Sequence, residues 1–157
     1  MSRRDARRHA FNLIFQFPFF QNVGAEALAE ARACYFESLD MGDIPDLEKL
    51  TRPSKKDADY LDRAVWGVLD KQAELDGVIE NFLRDWDINR INKVDLALIR
   101  LSIYEMLREP DVPLGVAVNE AVELAKEYGT DESPAFINGV LGSISREIKL
   151  KGRDKIG

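Results

Sequence analysis

The chain predicts an all-α fold, a bundle of about six to seven helices, and three observations carry that reading. Apolar residues recur at three- and four-residue spacing along nearly the whole sequence. No segment alternates as a half-buried strand should. Breaks rich in Gly and Pro divide the periodic stretches. With 157 residues there is enough chain for one domain, or two small subdomains, with a sizeable core.

The elements follow in order. A first helix is expected over about Arg4–Gln21, with Ala6, Ala10, Leu13, Phe17 and Phe20 near one face and Pro18 kinking or ending it. Gly24 opens an Ala-rich second helix to about Leu39. Asp40–Lys56 (DMGDIPDLEKLTRPSKK) has the composition of a loop and should separate an N-terminal pair of helices from a larger C-terminal group. From Asp57 to about Leu83 runs one broad apolar stripe: Leu61, Ala64, Val65, Val68, Leu69, Leu75, Ile79, Phe82 and Leu83. Trp86–Asn89 reads as a turn. Lys93–Leu107 is almost continuously apolar and should be the buried central helix. Pro113 suits the first turn of the next helix, and Gly129 its C′ position. Ser133 and Pro134 read as N-cap and N1 of a last helix to about Ile148, its apolar face formed by Phe136, Ile137, Val140, Leu141 and Ile144.

Charge is distributed unevenly. The segment Met1–His9 holds Arg3, Arg4, Arg7 and Arg8 against Asp5, a net of +3, and the last nine residues carry another +3. The whole chain stands at −6, which leaves −12 for the body between. A basic tip on an acidic globule points to a localised anion contact. Arg3 with Arg7, and Arg4 with Arg8, are like-charge i,i+4 pairs, and cations at a helix N-terminus oppose the macrodipole. Fold stability alone would not choose this arrangement, whereas a phosphate backbone would reverse both penalties. On that reasoning, reversing the charge of Arg4 and Arg7 should leave the melting temperature level or slightly higher. The alternatives at this point are a solvated, frayed terminus and a transit peptide, against which Asp5 argues.

Several chemistries have no residues to support them. His9 is the one histidine and Cys34 the one cysteine, so a Cys/His metal cluster has no ligand set and an internal disulfide has no second thiol. A catalytic triad would have to recruit His9 from the arm. The glycines form no phosphate-cradling loop. Asp85-Trp86-Asp87-Ile88-Asn89 begins like a calcium-binding loop but fails, with Arg90 at the glycine position and Leu96 at the bidentate glutamate position. We therefore expect no catalytic residues, no cofactor and no metal, and a cytoplasmic protein with no membrane association.

Three segments together carry a resemblance: RRDARRHAFNLIFQ at Arg3–Gln16, INKVDLALIRLSIYEML at Ile91–Leu107, and VPLGVAVNEAVELAKEYGTDESPAFINGVLGSI at Val112–Ile144. In this order they resemble the NusB family of transcription antitermination factors, over most of the chain. The resemblance implies an all-helical fold of two packed three-helix subdomains without catalysis. The chain would be a single RNA-binding domain: arginine-rich arm 1–9, N-terminal helical part 4–39, loop 40–56, C-terminal helical part 57–148 and basic tail 149–157. The family binds boxA-type single-stranded RNA of ribosomal RNA leader transcripts together with NusE, a small-subunit ribosomal protein, within the RNA polymerase antitermination complex. Carried over by position, the RNA contacts are Arg3, Arg4, Arg7, Arg8, Glu132 and Phe136, and the NusE contacts are Asp95 and Phe15. Some members of the family also self-associate, so a homodimer belongs among the expected partners.

The residues qualify this transfer. Asp5 stands where some members have a third consecutive basic residue, which should weaken the arm, with Arg8 as a partial replacement. Pattern alone puts Phe136 in the core; the resemblance assigns it to RNA, which aromatic rings bind by stacking. Glu132 would repel phosphates, so capping or orienting the helix start suits it better. Asp95 is either a first-turn dipole partner or a contact for a basic protein, and Arg100, Glu105, Glu120 and Lys126 read as structural. Four arginine contacts to single-stranded RNA would give a log–log salt slope of only about −3, and the acidic body opposes even that. Useful affinity is expected only with a basic partner. A helical protein–protein interaction module is the alternative function. A third reading, a NusB-like domain of a ribosomal RNA methyltransferase, would need a longer chain.

Overall fold

A computed structural model of the chain describes residues 3–16, 24–40 and 54–153. Seven α-helices lie among them: α1 (Arg3–Gln16), α2 (Ala25–Asp40), α3 (Lys55–Asp70), α4 (Gln72–Phe82), α5 (Lys93–Arg108), α6 (Leu114–Tyr128) and α7 (Ser133–Lys151), with a 3₁₀ turn at Ile88–Arg90. No strand occurs among the described residues. The expected course of the first helix through Pro18 to Gln21, most of the expected loop and the end of the basic tail lie outside them. No helix of the described residues is long and apolar enough to cross a membrane.

The chain divides into two compact units, Met1–Asp70 and Lys71–Gly157. The division does not fall at the expected loop. α3 packs on α1 in the first unit, and α4 packs on α5 in the second. The apolar stripe expected over Asp57–Leu83 is thus two helices, broken at Lys71, whose φ of −104° and ψ of 20° leave helical geometry. Neither Gly nor Pro marks this break. The sign in the sequence is subtler, an interval from Asp70 to Glu74 with no large apolar residue.

In the first unit, Ala6, Ala10, Leu13 and Ile14 of α1 are buried, as are Tyr60, Leu61, Ala64, Val65 and Val68 of α3. Ser54 starts α3: its Oγ accepts from Asp57 N (3.4 Å) and donates to Asp57 Oδ2 (3.3 Å), a small capping box. His9 is fully buried, with Nδ1 2.8 Å from the Tyr35 hydroxyl and its ring against Phe36, so it belongs to the α1–α2 packing and not to a mobile arm. Helices α1, α2 and α3 leave a cavity of about 420 Å³, lined by Leu13, Leu28, Val65 and Trp66 and edged by the Arg32–Asp62 ion pair.

In the second unit α5 is buried along nearly its whole length, from Asp95 to Met106, and α4, α6 and α7 pack on it. Alanines at 117, 121 and 125 keep the α6 face small, and Ser102 Oγ of α5 donates to the Ala117 carbonyl at 2.9 Å. Arg100 clamps Asp76 of α4 with two bonds of 2.7 and 2.9 Å, the internal salt bridge expected of it. The end of α5 is held from the far end of the chain. Gly152, at φ +87°, turns the backbone, and Arg153 Nη1 donates to the Met106 carbonyl at 2.5 Å and to that of Glu109 at 3.4 Å.

The α6–α7 corner differs from expectation in detail. Pro113 sits one residue before α6, as its N-cap, and not in the first turn. Gly129 is extended (φ −94°, ψ −165°) and not left-handed. Its small size is what matters, since a Cβ would fall 2.6 Å from Ser133 Cβ and Oγ and 2.8 Å from the Ala125 carbonyl. Ser133 does not cap α7; the N-cap position is Glu132. Ser133 Oγ instead accepts from Thr130 N at 3.0 Å, while Ser133 N donates to Thr130 O at 3.1 Å. Thr130 and Ser133 thereby form a reciprocal box one turn earlier.

Gly129→Ala should therefore cost about 1–3 kcal/mol, lowering the urea midpoint. Gly139→Ala, inside α7 with nothing within 4 Å of the new Cβ, should gain about 0.5–1 kcal/mol. Equal shifts in the two variants would show that close approach is not what selects Gly129.

Candidate functional site

The four arginines of α1 are not equivalent. Arg3 Nε lies 3.0 Å from Asp57 Oδ1, and its guanidinium sits 4.2 Å from the centre of the Tyr60 ring. Arg7 is 5% exposed, with its guanidinium 5.9 Å from the same ring. The like-charge pair that the sequence placed at positions 3 and 7 is thus relieved by a carboxylate and a π face on α3. Arg8 pairs with Asp5 at 2.9 Å, one turn apart, so Asp5 occupies the residue expected to replace it. Arg4 is the exposed arginine of the set. The expectation that fold stability gains nothing from these side chains is corrected for Arg3 and Arg7, which fasten α1 to α3. Their partners lie some fifty residues away along the chain, where helical periodicity cannot register them.

Phe15, at the other end of α1, is 38% exposed and stacks on Phe11, with ring centres 5.9 Å apart and planes 21° from parallel. It is a surface aromatic.

The second unit holds the other candidates. Phe136 is half-buried in the first turn of α7 and not inside the core where its spacing would put it. Its ring lies 5.6 Å from that of Trp86 at 43°. Trp86 is 55% exposed and was read from the sequence only as part of a turn. The signal that could have singled it out is an indole within the charged, turn-forming run Asp85–Asn89. Glu132 is exposed, and its carboxylate makes no capping bond to α7; its carbonyl accepts from Phe136 N at 3.2 Å. The capping role expected for the Glu132 side chain is not realised.

Asp95 is 5% exposed in the first turn of α5. Asn92, the N-cap, accepts from Asp95 N at 2.8 Å and donates through Nδ2 to Asp95 Oδ2 at 3.0 Å. The dipole role is therefore realised. Asp95 Oδ1 is buried with no hydrogen-bond partner among the described residues. Such an acceptor carries a desolvation cost unless something supplies a donor. Among the described residues, no group of three His, Cys, Asp or Glu side chains is placed to hold a metal ion.

Comparison with known proteins bears on these features together. The family model for the NusB family matches residues 4–146. A transcription antitermination protein NusB of Acetivibrio thermocellus is 40% identical over 154 residues, covering 98% of this chain and 94% of that protein. One from Agathobacter rectalis is 39% identical over 145 residues, covering 92% of this chain and all of the relative. The solved structure of T. maritima NusB superposes with a TM-score of 0.72 at 31% identity, covering 94% of this chain and 92% of that one.

The unequal settings of the arginines have a thermal signature. Arg7→Glu should destabilise the protein by about 3 kcal/mol or more, because it reverses a buried, partnered charge. Arg4→Glu should change stability by less than about 1 kcal/mol. Melting temperatures of the two single variants decide it, and similar small shifts for both would place Arg7 in solvent.

Proposed function

The chain belongs to the NusB family of transcription antitermination factors, which is not an enzyme family, and we propose that it binds boxA-type single-stranded RNA of ribosomal RNA leader transcripts together with NusE. The observation that carries the RNA half of this reading is Phe136. A residue with core spacing is instead held half-exposed at the start of α7, which suits a ring that stacks on a base.

The roles divide by exposure. Arg4 meets phosphate directly, and Arg8 joins it once an anion competes with Asp5. Arg3 and Arg7 act by holding α1 on α3 so that Arg4 is presented from a rigid helix. Glu132 stands at the N-cap position of α7 beside Phe136, where its backbone carbonyl, and not its carboxylate, joins the helix start. Asp95 and Phe15 meet NusE. The Oδ1 of Asp95, without a partner among the described residues, supports a partner that brings a cationic or N–H donor to the α5 start, and the exposure of Phe15 supports an apolar contact. RNA polymerase is reached through that complex, in the cytoplasm where transcripts are made.

The arm is electrostatically smaller than its arginine count. With Arg3 and Arg7 engaged, two phosphate contacts remain, for a salt slope of about −1.4 where four would give about −2.8. Against a body at −12, this favours RNA binding that depends on a basic partner.

Titration of labelled boxA RNA with the chain alone, with NusE alone and with both should show tight binding only for the pair. Equal tight binding by the chain alone would sink the partner dependence, and no binding by the pair would sink the RNA reading. Within the complex, Arg4→Gln should weaken binding and make the salt slope shallower by about 0.7. An unchanged slope would remove Arg4 from the phosphate contact.

A further inference from the structure

We infer that Trp86 is a second base-stacking residue, working beside Phe136; this rests on the RNA reading above. The indole is more than half exposed, yet it is not loosely held. Trp86 N donates to Leu83 O at 3.0 Å, Asp87 Oδ1 accepts from Asn89 N at 2.9 Å, and Arg90 N and Ile91 N close the 3₁₀ turn onto Asp87 O and Ile88 O at 2.9 and 3.2 Å. The turn is built, and it carries its largest apolar side chain outward. Keeping that area in water gives the fold nothing. The ring contact with Phe136 fixes one side of the indole, so a flat surface is offered with little ordering left to lose on binding.

The surroundings favour a base over an apolar peptide. Asp85, Asp87 and Arg90, which flank Trp86 in the sequence, are exposed, Arg84 is half-buried, and the four balance in charge. A charge-balanced polar stretch carrying an exposed indole inclined to a second ring suits a planar base whose polar edges stay in water. It also makes a distinct prediction. Stacking on Trp86 contributes affinity without counterion release, so its loss leaves the salt dependence alone, unlike the loss of Arg4.

The test uses the full chain with NusE and labelled boxA RNA. Trp86→Ala should weaken RNA binding roughly tenfold or more with an unchanged salt slope and unchanged NusE affinity, while Trp86→Phe stays within about threefold of the parent. Independently, Trp66→Phe leaves Trp86 as the one tryptophan, and saturating RNA should quench its emission. Trp86→Ala binding RNA as tightly as the parent, or emission unchanged at saturation, would overturn the inference while leaving the RNA reading intact. A loss confined to NusE affinity would make Trp86 a protein contact and overturn it too. If the parent complex binds no RNA, both readings fall together.

Discussion

Helix ends govern this structure more than helix faces do. Every helix leaves four N–H and four C=O groups without partners in its own ladder, and each end must find them elsewhere. Here the answers are side chains in specific places: Ser54 with Asp57, Asn92 with Asp95, Thr130 with Ser133, Asp87 at the 3₁₀ turn, and Arg153 at the end of α5. Several of these residues do a second job. Asp57 both completes its cap and receives Arg3, so one carboxylate starts α3 and anchors α1. Asp95 completes a cap with one oxygen and leaves the other without a partner among the described residues. Positions that organise the fold and positions that suit contact with other molecules therefore coincide, because an exposed or half-satisfied helix end is already a recognition surface.

That coincidence explains what could and could not be read from the sequence. The helices were legible because burial of one face repeats with the helical period, and α5 stood out because its apolar residues surround the axis. The family motifs were legible as well, and the chain's relatives bear out the family. The break at Lys71 was not, since its neighbours keep the apolar phase and no Gly or Pro announces it. The burial of Arg7, expected to serve an anion and to give the fold nothing, was not legible, because a charge says nothing about which distant ring will cover it. Phe136 was misread by pattern for the opposite reason. Its spacing matches its buried neighbours Ile137 and Val140, but it lies at the helix start, where Trp86 is its ring partner.

The arginine-rich terminus illustrates how a charge count overstates a binding site. Counted by sequence, four guanidinium groups face an anion. Counted by structure, two are fastened to α3 and a third pairs with Asp5. That fastening still serves Arg4, the exposed one. A long, flexible arginine on a frayed end would lose much of its gain to ordering, whereas one on a fastened helix has already paid part of it. The surface thus trades attraction at a distance for geometry at contact, on a chain whose body stands at −12.

The grip of Arg153 on the carbonyls of Met106 and Glu109 has a consequence for how the chain comes into being. All of the first unit has been synthesised once Asp70 is made, and it can close while the rest is still being translated. The second unit cannot finish, because the clamp on its central helix is made by a residue more than forty positions after the helix ends. At roughly 5–20 residues per second, about 4–17 seconds separate the two events. During that interval the apolar surface of α5 depends on α4, α6 and whatever part of α7 has emerged. The second unit is most exposed to misassembly until Arg153 has emerged, and a chain that lacks this residue lacks the fastener of its central helix.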